Sequence, residues 1–389
     1  MNTMKHNWEY KKLGEIAEIQ YGYPFDSTFF NEDKDGLPLV RIRDVVRGYS
    51  ETYFKGDYPK EYIVSMGDYL IGMDGEFNIA QWKSNDALLN QRVCKISIKD
   101  NKQAKMQFLY YFLTRHLKEI EDETPFVTVK HLSAKRINQI FIPLPPLPIQ
   151  QKIVAELDKV CLIIDKKKQQ LKELDNLAQA IFYDMFGDPV ENEKGWEVKK
   201  LGEVSLIKGR IGFRGYTRND FVQSSSDGAI SLSPSNIIGG TMDYGKCSYI
   251  TWEKYYESPE IMINNGDIIL VKTGSSYGKC AFVQGLPHKA TINPQFVVIK
   301  EHKISSRYLT AYLQSEAAKV KYDEFVLGTA IPTFSQKSLG EMPILVPPLS
   351  LQQSFAAKIE AIEKQKELIS RSIKEAQTLF DERMDYWFD

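Results

Sequence analysis

Two stretches decide how this chain is read: Trp8–Glu15, WEYKKLGE, and Trp196–Glu203, WEVKKLGE, which agree at seven of eight positions. A second pair of anchors follows: Pro145–Gln151, PPLPIQQ, and Pro347–Gln353, PPLSLQQ. Between them lies a fainter echo, Gly67–Gly72 (GDYLIG) against Gly266–Val271 (GDIILV). The distance between partners is not the same for each pair, so the halves share a plan but carry different insertions. A repeat on this scale is one scaffold used twice. The interiors of the halves are largely unrelated, which points to two heads with separate targets.

Each PPLxxQQ anchor opens a long helical pattern. In the first, Ile153, Leu157, Val160, Ile164, Lys167, Leu171, Leu174, Ala178, Ile181 and Met185 alternate steps of four and three. In the second, Phe355, Ile359, Ile362, Lys366, Ile369, Ile373, Ala376, Phe380, Arg383 and Trp387 do the same. Sustained over several heptads, this is a coiled-coil seam, with Lys167 and Lys366 as polar interruptions that set register. The prolines before each seam suit a helix start, since they cannot occupy its interior. Lys166–Lys168 reads as a solvated helix face.

The fold expected is therefore α/β: two mixed α/β heads separated by two long helices packed as an antiparallel coiled coil, with a pseudo-twofold internal repeat. The predicted segments are residues 1–143 for the first head, 144–187 for the first helix, 188–343 for the second head and 344–389 for the second helix. Strands are expected at Leu37–Asp44, Asp68–Gly72, Arg92–Ile98, Gln139–Leu144, Asp267–Lys272, Gln295–Lys300 and Met342–Val346. Helices are expected at Met106–Ile120 and Ser305–Glu324.

The chain has 389 residues, 43% hydrophobic and 12% aromatic, with a formal net charge of -1. Length alone suggests two or three domains. No apolar run approaches the roughly 20 residues of a membrane span, and the start of the chain has no apolar signal segment. The four cysteines, Cys94, Cys161, Cys247 and Cys280, are far apart, which fits reduced thiols in a cytoplasm and neither a disulfide framework nor a zinc site. The near-zero charge is not that of a small basic DNA-binding domain, so any grip on phosphates must come from local Arg and Lys clusters or from a partner.

Together the WExxKLGE openings, the GD strands, the PPLxxQQ helix entries and the helix end Ala178–Gly187 (AQAIFYDMFG) resemble the specificity subunits of type I restriction-modification systems over essentially the whole chain. The resemblance implies that each head is a target recognition domain reading one half of a split sequence in double-stranded DNA. It implies that the helices set the unread spacer and dock two modification subunits, with restriction subunits joining them. It also implies that S-adenosylmethionine sits on the modification subunits, that this chain binds no cofactor and catalyses nothing, and that the complex is cytoplasmic.

Motifs for independent chemistry are weak. Gly274–Lys279 (GSSYGK) is one residue short of a phosphate-binding loop, and Cys280 stands where Ser or Thr belongs. It reads as a turn after a strand. Asn293–Phe296 (NPQF) resembles the NPP[YF] loop of adenine methyltransferases, with Gln295 in place of the second proline, and no glycine-rich cofactor loop accompanies it. His6, His116, His131, His288 and His302 form no metal-binding spacing. Two rival readings remain: a self-contained adenine methyltransferase using Asn293–Phe296, and a coiled-coil scaffold whose heads bind proteins.

Base-edge readout calls for Arg, Lys, Asn or Gln on loops. In the first head the candidates are Arg41, Arg43 and Arg47, then Lys83, beside Gln81 and Trp82, then Gln91 and Arg92, beside Asn90. In the second they are Arg210, Arg214, Tyr216 and Arg218, in a loop with Gly209, Gly212, Gly215 and Phe213, then Ser235 and Asn236, then Lys272, Ser275, Tyr277 and Lys279. Basic residues interleaved with aromatics and glycines suit a nucleic-acid loop.

Overall fold

The computed structural model describes residues 8–124, 130–325 and 332–388. His6 and the side chain of Phe213 lie outside the described residues, as do the extremes of the first and last expected segments. The chain divides into two compact units, one of Met1–Lys168 with Arg371–Asp389 and one of Gln169–Ser370. The long helices, Leu147–Phe186 and Leu349–Phe388, each give one half to each unit.

The duplicated motifs have a physical explanation. In each head the strand within the WExxKLGE motif pairs antiparallel with the strand before the helix, Glu9–Lys12 with Phe141–Leu144 and Glu197–Lys200 with Pro343–Val346. The leucines that follow, Leu13 and Leu201, are fully buried. Their amides donate to Ile140 and Met342 carbonyls at 2.7 and 2.9 Å. The next position leaves little room for a side chain: a Cβ on Gly14 would lie 2.5 Å from the Asn138 side-chain oxygen, and one on Gly202 would lie 3.2 Å from the Gly340 carbonyl oxygen.

The first glutamine of PPLxxQQ ties helix to head. Gln150 is 0% exposed; it accepts from the Lys105 amide at 2.9 Å and donates to the Gln103 and Pro145 carbonyls at 3.0 and 2.9 Å. Gln352 accepts from the Ser305 amide at 2.8 Å and donates to Pro347 at 2.7 Å. The GD pair makes a tight turn, with Gly67 at φ +100° and Gly266 at φ +99°, a region open to glycine at little cost. Asp68 and Asp267 close it by accepting from the Ser65 and Asn264 amides.

Both heads contain the same two further sheets. In the first head a four-stranded antiparallel sheet runs in the order Ala17–Tyr21, Val93–Ile98, Tyr69–Gly72, Asn78–Gln81. In the second the order is Leu206–Lys208, Phe296–Lys300, Ile268–Val271, Cys280–Phe282. A five-stranded sheet lies beside each, with one parallel pair at its centre: Leu37–Val40 with Ala87–Leu89, and Gly228–Leu232 with Ala290–Ile292. The strands are short, and apolar cores fill the space around them; Leu39, Leu88, Ile71 and Val93 are fully buried in the first head, and Leu232, Ile292, Val271 and Phe296 in the second.

Two local expectations are corrected. Leu37–Asp44 is not one strand: it ends at Val40, and Ile42–Arg47 forms a helix. Asp44 accepts from the Arg41 amide at 2.9 Å, which closes the helix start, and Gly48 at φ +76° ends it. The Ser305–Glu324 pattern is two helices, Ser306–Gln314 and Glu316–Phe325, broken where the Ser315 hydroxyl donates to the Tyr312 carbonyl.

Within each unit the long helices run antiparallel, and no seam residue of either is exposed. In the first unit Lys152 lies over the Trp387 ring, Glu156 bonds Arg383 and the Trp387 indole at 2.9 and 3.1 Å, and Tyr111 meets Phe380. In the second, Asp175 pairs with Lys366 at 2.6 Å, and Phe182 and Phe186 pack on Phe355 with ring centroids 5.8 and 5.2 Å apart. The polar seam residue Lys366 is therefore matched by a carboxylate rather than left in an apolar layer. Lys166 and Lys168 are exposed.

Candidate nucleic-acid interface

In the first head the helix Ile42–Arg47 gathers three candidates. Arg41 is exposed at its start, and Arg43 and Arg47 flank Asp44 at 3.7 and 4.0 Å. Asp44 is 1% exposed, and its Oδ1 has no hydrogen bond among the described residues, so the two guanidiniums neutralise a buried carboxylate while staying half-exposed. The exposed Val46 and Tyr49 stand beside them. Lys83 is exposed, its stem lying against Gly48. Trp82 is core, 1% exposed.

Gln91 and Arg92 follow a turn made by the buried Asn90, whose Oδ1 accepts from the Gln91 amide at 2.9 Å. Both are exposed. Arg92 holds a left-handed backbone, φ +71°. Its Nε lies 3.5 Å from Asp74 and its Nη1 3.4 Å from His131 Nδ1, which in turn contacts Asp74.

The second head uses its expected loop differently. Arg210 is 7% exposed; its guanidinium lies 4.9 Å from the Tyr216 ring centroid and donates to the Arg214 and Ile292 carbonyls at 3.1 and 3.3 Å. Burial pulls its pKa down. Arg210 is thus an internal tie, not a free reader, and Tyr216, whose hydroxyl meets Ser231 at 3.2 Å, is the ring it rests on. Arg214 is partly buried and pairs with Glu260 at 3.4 Å. Arg218 is exposed at the start of a short turn capped by Thr217.

Asn236 is also internal: 3% exposed, it accepts from the Ser233 amide and donates to the Asp243 and Lys246 carbonyls. Ser235 is exposed and bonded to Ser233. Gly274–Lys279 is the hairpin turn between Ile268–Val271 and Cys280–Phe282, with no helix behind it. That removes the helix N-terminus a phosphate-binding loop needs. On this turn Ser275 is exposed, Tyr277 donates to Asp323, and Lys279 reaches the Pro234 carbonyl at 3.3 Å. Lys272 is half-buried, and burial lowers its pKa.

Asn293–Phe296 is a strand-entry turn at the position that Asn90–Val93 holds in the first head, with a different conformation at its third residue, since only Arg92 has a positive φ. Asn293 Oδ1 accepts from the Gln295 amide at 3.0 Å, and the Phe296 amide bonds back to Asn293 as Val93 does to Asn90. Its likeness to a methyltransferase loop is that of a strand-entry turn present in both heads.

Among the described residues no group of three His, Cys, Asp or Glu is placed to hold a metal ion. No described helix is long and apolar enough to cross a membrane. The four cysteines are unpaired, and burial pushes the thiols of Cys94 and Cys280 up to about 12, far from nucleophilic activation. A cavity of about 840 Å³ in the second unit has most of its charged lining matched, Arg307 with Glu360 and Glu363, Lys366 with Asp175, and Lys319 with Glu316, while Lys279 meets the Pro234 carbonyl.

Two copies of one scaffold with different loop chemistry find a direct counterpart among known proteins. The model of the type I restriction modification DNA specificity domain matches residues 5–176 and again 193–378. The chain belongs to that family. It is 43% identical over 178 residues to the EcoBI specificity subunit of Escherichia coli, a match covering 46% of this chain and 37% of that one. It is 23% identical over 399 residues to the MjaVIII specificity subunit of Methanocaldococcus jannaschii, covering 96% of this chain and 92% of that one. In fold it is similar to the crystal structure of a type I restriction-modification S subunit from M. genitalium, with a TM-score of 0.54 at 12% identity, covering 99% of this chain and 96% of that one. As a member of this family it stands among specificity subunits, the DNA-recognition components of their systems, rather than among the catalytic ones.

Proposed function

We propose that each head of this specificity-domain chain reads one half of a split sequence in double-stranded DNA. The two long helices set the unread gap and dock two modification subunits, and restriction subunits complete the cleaving complex. S-adenosylmethionine is held by the modification subunits, which methylate adenine, and the assembly works in the cytoplasm. The observation that carries this reading is that the two heads keep the same sheets and the same loop-closing hydrogen bonds while differing in the side chains those loops present.

The net charge of -1 accords with partners supplying much of the phosphate contact, because that contact dominates affinity. Each long helix is 40 residues, about 60 Å at 1.5 Å per residue, long enough to impose a fixed distance where a flexible linker imposes none.

Cells that express the chain with its modification subunit are expected to carry methylated adenines in a two-part motif with a constant gap, and cells lacking the chain none, as read by long-read sequencing. Methylation that is independent of the chain, or confined to one continuous motif, contradicts the proposal. Retained affinity for DNA after alanine replacement of the exposed head-loop arginines favours the protein scaffold instead.

A further inference from the structure

At the mouth of the four-stranded sheet, three segments meet in the same way in both heads. In the first, the Met73 amide bonds the Arg92 carbonyl at 2.9 Å, the Leu132 amide bonds Met73 at 2.7 Å, and the Gly75 amide bonds Lys130 at 2.9 Å. In the second, Lys272 bonds Gln295 at 2.7 Å, Phe334 bonds Lys272 at 3.1 Å, and Gly274 bonds Pro332 at 3.0 Å. Isolated bridges join Asp74 to His131 and Thr273 to Thr333. Position by position, Asp74, Arg92 and His131 of the first head correspond to Thr273, Gln295 and Thr333 of the second. The inter-segment hydrogen bonds are shared, although Arg92 has a positive φ and Gln295 does not, and the chemistry is exchanged: an Asp–Arg ion pair beside a histidine in one head, three neutral side chains in the other.

Resting on the reading above, we propose that Arg92 and Gln295 are the equivalent base-selecting residues of the two heads, Arg92 for guanine and Gln295 for adenine. The pairing follows from donor and acceptor geometry, since a guanidinium fork matches guanine O6 and N7 and a carboxamide matches adenine N6 and N7.

Three features of the positions support it. Both residues are exposed and are the third residues of turns that open with an Asn and close with the amide of the next strand residue bonded back to that Asn. Arg92 keeps a φ of +71°, a conformation that favours glycine or asparagine and costs other residues on the order of 1 kcal/mol. Both side chains are also held without being consumed. Asp74 and His131 touch Arg92 at 3.5 and 3.4 Å, and Gln295 Oε1 accepts from Asn293 at 3.1 Å. Asp74, His131 and Asn293 are positioning residues. The half-buried Lys272 stands where the first head has Met73.

The test is the methylation motif of cells carrying the chain and its modification subunit, with the native chain, Arg92→Asn and Gln295→Arg compared. Asn tolerates the left-handed backbone, so Arg92→Asn removes the fork without forcing the turn. The native motif should hold a guanine in one half and an adenine in the other that answer to these residues. Arg92→Asn should relax that guanine alone, with discrimination falling about tenfold or more. Gln295→Arg should alter one adenine position in the other half alone. If a variant abolishes methylation, DNA selected from a random library by the assembled variant complex reads the same position, and equal loss on all sequences overturns the assignment. An unchanged motif in both variants, or changes in both halves from one variant, also overturns it. A native chain with no split motif instead defeats the underlying DNA-reading proposal.

Discussion

Arg210 and Arg218 sit eight positions apart in one glycine-rich loop and have opposite fates. Arg210 is spent on two carbonyls and a tyrosine ring inside the second head, whereas Arg218 is exposed. Arg210→Ala is expected to lower stability by about 1–3 kcal/mol, the cost of buried polar groups left without partners, read as a drop in melting temperature. Arg218→Ala should leave melting unchanged and weaken DNA binding by the assembled complex alike on all sequences, with the salt slope falling by about one. Spacing and composition could not separate the two, because glycines allow either a close approach to DNA or a close approach to the protein's own carbonyls. The trio Asp74, Arg92 and His131 was only one-third visible, since its members come from three segments and only Arg92 carries a recognisable reading chemistry. Burial also holds the His302 imidazole below its ordinary 6.5. The unfolded chain then takes up the proton first, so this contribution to stability is intact above about pH 6.5 and is lost as pH falls from there through the lower folded value. Melting temperature should fall less between pH 7 and pH 5 in His302→Gln than in the native chain.

Among the elements, the long helices were the most legible, because a seam at steps of three and four admits few other readings, and every seam position is shielded. The strands were legible in place but not at their ends. The helix Ile42–Arg47 was missed although its signals were present: Asp44 to close its start and Gly48 to end it. Apolar residues just before it imitated a longer strand. The prolines of PPLxxQQ were legible as a helix entry, but the role of its first glutamine was not, since the Lys105 and Ser305 amides from which Gln150 and Gln352 accept lie more than 40 residues away. Gln150→Leu should therefore destabilise by roughly 1–3 kcal/mol through the stranded Lys105 amide and Gln103 carbonyl, measured by thermal melting. A heptad inserted into each long helix adds about 10 Å of helix, and the methylated half-sites should move apart by up to about three base pairs at 3.4 Å each. An unchanged gap would mean that the helices do not set it.

For the whole molecule, a formal charge of -1 pointed away from DNA, and duplication outweighed it. Both heads repeat one strand order in their four-stranded sheets and one in their five-stranded sheets, a likeness that sequence shows only at three short anchors because buried strand positions accept many apolar residues. What differs is what the loops display. The central claim is that the heads read independently, and the most direct measurement is to replace residues 8–143 with the corresponding head of another family member and sequence the methylated DNA. The account predicts that one half of the motif changes while the other half and the gap persist; a change in both halves would contradict it.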